Sequence, residues 1–69
     1  MKVTYDASLD IVRILFSDAP IAESDEDKPG IIVDYSEDGH VVGIEIMDAS
    51  IHMSNPGGVE YAVVGMKPA

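Results

Sequence analysis

Apolar and polar positions alternate most regularly from Gly30 to Ser50, GIIVDYSEDGHVVGIEIMDAS. The pattern predicts a β-hairpin that turns at Asp38-Gly39. Around that turn Tyr35 faces Val42, Val33 faces Ile44 and Ile31 faces Ile46 on one side. The other side pairs Ser36 with Val41, Asp34 with Gly43 and Ile32 with Glu45. A slip of one residue brings Asp34 and Gly30 into the apolar ladder, so the pattern fixes the register.

The same periodicity places the other elements. Lys2-Val3-Thr4-Tyr5 reads as a first strand with Val3 and Tyr5 inward, followed by a polar connection from Asp6 to Asp10. Ile11 to Phe16 reads as a central strand, with Val12, Ile14 and Phe16 on one face and Ile11, Arg13 and Leu15 on the other. Ser17-Asp18-Ala19-Pro20 is a turn, because Pro20 has no backbone donor for a ladder. Ile21-Ala22-Glu23-Ser24 forms a weaker third strand ahead of the acidic run. After Met47 the period changes: Asp48 is an N-cap type of residue, and a helix of one or two turns is expected until Asn55-Pro56-Gly57-Gly58 stops it. Gly58 to Val64, GVEYAVV, reads as a last strand. The expected fold is mainly β: a single antiparallel β-meander of five to six strands with one short helix near residues 48–54.

Length and composition sharpen this picture. Sixty-nine residues form one small domain, and 46% hydrophobic residues make it globular. The chain has no cysteine, which excludes disulfides and thiolate metal sites. One short helix cannot cover a sheet of five strands, so the apolar face needs another lid. A second copy is expected to supply it, giving a homodimer in which Gly58 to Val64 pairs within its own chain or exchanges between copies. A net charge of −9 argues against direct nucleic-acid binding; it attracts a basic protein partner, although its first reading is that the acids keep a strand-rich protein soluble. MKVTYDASLD lacks a signal-peptide core and no stretch has membrane-spanning length, so a cytoplasmic protein without a membrane partner is expected.

The chemistry-bearing residues form no catalytic, metal or cofactor motif. Glu23, Asp25, Glu26 and Asp27 begin like a calcium loop, but Pro29 takes its fifth position and Ser36 its twelfth, where a bidentate Glu is required. The run reads as a solvated loop that ends the third strand. The residues that define a candidate functional face are Asp34, Glu45, His40 and Arg13. Asp34 and Glu45 share the side opposite the apolar ladder, where Gly43 leaves room for a shallow groove. Arg13 points to the same side and can bridge either acid, and His40 stands at the hairpin tip. His52 lies at i+4 from Asp48 in the helix. No serine has a nucleophile elbow, and the glycines match no phosphate loop.

Tyr5-Asp6, Ser17-Asp18, Ala22-Glu23-Ser24, and above all GIIVDY followed by Asp38-Gly39, Val42-Gly43-Ile44-Glu45-Ile46 and Asp48-Ala49 resemble the short prokaryotic family catalogued as domain of unknown function 2283 (DUF2283). The resemblance covers residues 2–50 and leaves 56–69 as an extension. It implies a small, mainly β, cytoplasmic prokaryotic protein, and it brings no enzymatic activity, cofactor or site residue. Some relatives lie beside genes for small ribonuclease-like toxins, which implies an antitoxin-like role.

The expectation is therefore a non-enzymatic, homo-oligomeric interaction protein, antitoxin-like in binding a small basic partner. The alternative is a metal- or ligand-binding module, or an enzyme, built on the carboxylates of Asp34 and Glu45.

Overall fold

Polar and apolar strands sort themselves by position in the sheet. The computed structural model describes residues 1–67. It contains β1 (Lys2–Asp6), β2 (Ile11–Leu15), β3 (Glu23–Lys28), β4 (Ile31–Tyr35), β5 (Val41–Ile46) and the four-residue helix α1 (Ala49–His52). The five strands make one antiparallel sheet in the order β1-β2-β5-β4-β3. The protein is thus mainly β with one short helix, and β2 is internal as its apolar run requires.

The order is not that of a simple meander. Sequential order would place β3, Glu-Ser-Asp-Glu-Asp-Lys, between β2 and β4, beside the apolar ladder. The chain instead carries β3 to the outer edge, where all six residues are exposed, and seals β5 against β2. This also revises the acidic run itself. It is a paired strand, with Glu23 opposite Tyr35 and Asp25 opposite Val33, rather than a loop after a strand at 21–24. Low strand propensity is overridden because an edge strand leaves its carboxylates in water while its backbone satisfies β4.

The hairpin register is as expected over most of its length: Ile31 pairs with Ile46, Ile32 with Glu45, Val33 with Ile44 and Asp34 with Gly43. Near the turn it differs, since Tyr35 pairs with Val41 and not Val42. The loop has three residues rather than two. The Ser36 N–H donates to the His40 carbonyl at 2.9 Å and the Gly39 N–H to the Ser36 carbonyl at 3.0 Å. Gly39 takes a positive φ of 86°, which a side chain would oppose. A bulge at Val42 absorbs the added loop residue and restores the ladder.

Alternation gathers Val3, Tyr5, Val12, Ile14, Val33, Ile44 and Ile46 on one face. Among the described residues, the buried apolar side chains are Val12, Val42 and Ala49, and Val3, Phe16 and Val41 on or beside this face are exposed. The segment at 58–64 forms no strand, contrary to the expectation. It passes alongside β1 in the opposite direction. Gly57 lies by Tyr5, and Val59 and Tyr61 border a hollow with Val3 and Met1. Proximity to the side chains of β1 makes no strand without ladder hydrogen bonds.

Candidate functional site

Asp34 and Glu45 share the face opposite the apolar ladder, yet their surroundings differ. Asp34 stands between Ser24 of β3 and Gly43 of β5. Its Oδ1 accepts the Ser24 hydroxyl at 2.5 Å. Its Oδ2 is buried without a hydrogen-bond partner among the described residues, and the residue as a whole is only 1% exposed. Asp34 does not solvate the outer surface. Nor does Gly43 open a groove beside it. A Cβ on Gly43 would meet the Ile14 carbonyl oxygen at 2.6 Å and Leu15 Cδ2 at 3.2 Å. Glycine is used there for close approach of β2 to β5, and Leu15 takes the space.

Glu45 is half-buried and faces the exposed Arg13 across β2 and β5. No ion pair joins Arg13 to Glu45 or Asp34 among the described residues. Arg13 and Glu45 border a shallow hollow with Lys2, Thr4 and Asp6. His40 lies apart from both, at the hairpin tip, with Nδ1 3.0 Å from Asp38 Oδ2. The Ser36 hydroxyl donates to the other oxygen of Asp38. These contacts, Ser36 first and then His40, hold the Asp38 carboxyl below its usual range. Serine, aspartate and histidine thus meet, but in the wrong order for nucleophilic catalysis. The imidazole must lie between hydroxyl and carboxylate to take the serine proton, and here the carboxylate lies between them. Among the described residues, no three His, Asp or Glu side chains gather as a metal site. No helix among them is long and apolar enough to cross a membrane.

At the β3 edge, Glu23 and Asp25 border a hollow with Tyr35 and Glu37. Glu26 turns back, its carboxylate accepting the Gly30 N–H at 2.8 Å, and Gly30 has a positive φ of 80° in this turn.

Asp10, which sequence reading passed over, joins parts of the chain far apart in sequence. Its carboxylate accepts the Tyr5 hydroxyl at 2.9 Å, the Ser50 N–H at 3.0 Å and the Ser50 hydroxyl at 2.6 Å. Its carbonyl accepts the Ala49 N–H at 2.9 Å. Asp48, expected to cap α1, makes no side-chain cap hydrogen bond and adopts a left-handed backbone at φ 51°. Asp10 supplies the cap from another part of the chain. The Ser50 hydroxyl, and then that of Tyr5, hold its carboxyl below the usual range, and the same hydrogen bond raises the Tyr5 phenol above its own. His52 ends α1 and is exposed. Nothing in the sequence marks Asp10, because its partner is 40 residues away. Asp10 and Asp38 thus hold α1 and the hairpin turn in place through their hydroxyl, imidazole and backbone partners.

Residues 2–50 match the model of a family described as "Protein of unknown function (DUF2283)". No curated protein and no solved structure matches the chain.

Proposed function

We propose, for a chain that belongs to the DUF2283 family of proteins of unknown function, that it acts as a non-enzymatic interaction protein whose apolar sheet face binds a second copy of itself. The observation that carries this reading is the area left in water, to which the sheet face contributes at Val3 and Val41 and the segment after α1 at Val59, Tyr61 and Val64. A compact monomer of 7.4 kDa exposes about 4,200 Å². This chain exposes 5447 Å², about 1,200 Å² more than that scaling gives. The excess lies within the roughly 1,000–2,500 Å² that each partner contributes to an obligate dimer. The radius of gyration, 13.8 Å, likewise exceeds the roughly 11 Å of a compact chain this long.

A homodimer built on the apolar face keeps β3 at the outer edge. Its carboxylates and the net charge of −9 then attract a small basic protein and steer its approach, the antitoxin-like role. Self-association is tested by thermal unfolding over a hundredfold range of protein concentration. A melting temperature that rises with concentration is expected, and one that stays constant rejects it. The basic partner is tested with the protein encoded next to this one. Binding that is tight at low salt and weak at high salt supports it, whereas a neighbour of unrelated type removes that clause alone.

A further inference from the structure

We infer that residues 59–64 are an exchanged arm, which leaves its own subunit at Asn55-Pro56-Gly57-Gly58 and pairs with β1 of the second copy. The inference rests on the self-association proposed above and names the segment that completes it.

Three observations support it. First, the arm is built as a strand but is not used as one within its own chain. Val59, Tyr61 and Val63 alternate with Glu60, Ala62 and Val64, a pattern rich in β-branched and aromatic residues. Among the described residues, none of 59–64 takes part in a backbone hydrogen bond. Second, its own subunit hardly buries it: Tyr61 is 72% exposed and Val64 92%. Third, β1 is an edge strand paired only with β2, and the arm lies near its side chains, with Gly57 by Tyr5 and with Val59 and Tyr61 bordering a hollow with Val3 and Met1. A bare edge with Val3 and Tyr5 on its apolar side offers the backbone partners and the surface that the arm lacks.

The connection suits a hinge. The Gly58 N–H donates to the Asn55 carbonyl at 3.1 Å, which makes a tight turn with Pro56 and Gly57 at its centre. Opening that turn, with two adjacent glycines available to absorb the change, redirects the arm without disturbing the sheet. Contacts available to the arm on its own β1 are available on a sister's β1 as well, so exchange requires little beyond the hinge. A two-fold arrangement then adds a sixth strand to each sheet and closes both β1 edges.

The absence of cysteine makes a direct test available. Chains carrying Val3→Cys and chains carrying Tyr61→Cys, one of them isotopically heavy, are refolded together, oxidised and resolved by mass. The double variant Val3→Cys/Tyr61→Cys is oxidised in parallel, and the native mass of every sample is measured. The expected result is a mixed heavy–light disulfide dimer from the single variants and inter-chain dimers from the double variant. Internally linked chains within a protein whose native mass is that of a dimer overturn the exchange and leave self-association standing. Internally linked chains within a native monomer overturn both.

Discussion

The carboxylate of Asp10 holds Ser50, 40 residues later, by both the backbone N–H at 3.0 Å and the side-chain hydroxyl at 2.6 Å. This pair fastens α1 to the loop between β1 and β2, and Tyr5 completes it from within the sheet. A four-residue helix has no stability of its own, so its position depends on such outside partners.

Replacing Asp10 by Asn is therefore expected to loosen α1 and lower stability in a pH-dependent way. The folded carboxyl titrates below its unfolded range, so its contribution is complete above that range and disappears as pH falls through the folded value. Denaturant unfolding of both proteins from neutral to strongly acid pH should show a gap that narrows as acid is added. A gap independent of pH would refute the assignment.

Ser24→Ala is expected to cost about 1–3 kcal/mol, because it removes the hydrogen bond to Asp34 and leaves a buried carboxylate with no side-chain partner. Adding Asp34→Val should recover most of the loss, since burying an apolar side chain there removes the need for the bond. Urea denaturation of the single and double variants decides this. A Ser24→Ala protein as stable as the parent would show that water satisfies Asp34.

Gly43→Ala is expected to destabilise by about 1–3 kcal/mol through overpacking. Its Cβ would meet a backbone oxygen, that of Ile14, which cannot move aside as a flexible side chain would. Hydrogen exchange should report faster opening of the Phe16 amide, which donates to the Val42 carbonyl at 2.7 Å in the same β2–β5 seam. Unchanged exchange with unchanged stability would contradict the close approach.

Arg13 and Glu45 face each other without an ion pair, so Glu45→Gln should change stability by no more than about 0.5 kcal/mol. A loss above about 1 kcal/mol would indicate a partner for Glu45 in the assembled protein.

Local pattern made much of this fold legible. The ladder from Ile31–Ile46 to Asp34–Gly43 follows from alternation together with the place of the turn, because a slip of one residue brings Asp34 among aliphatic side chains. The turn was legible in place but not in length, since Asp38-Gly39 suits both a two-residue turn and the observed loop with Gly39 in the left-handed region. The order of strands was hidden. Nothing local states that β2 pairs with β5; that follows from the need to keep the carboxylates of β3 at an edge. Of the candidate face, the side on which Asp34, Glu45 and Arg13 lie was legible from parity, whereas the burial of Asp34 depends on Ser24 and the closed seam at Gly43. Asp10 was invisible because its role is defined by Ser50 across the fold.

The most direct measurement is the mass in solution by sedimentation equilibrium across micromolar concentrations. The apolar face of β1, β2, β5 and β4, on which Val12 and Val42 are the buried side chains among the described residues, predicts twice the chain mass of 7.4 kDa. A stable, cooperatively folded species at the mass of one chain over the whole range would contradict the account.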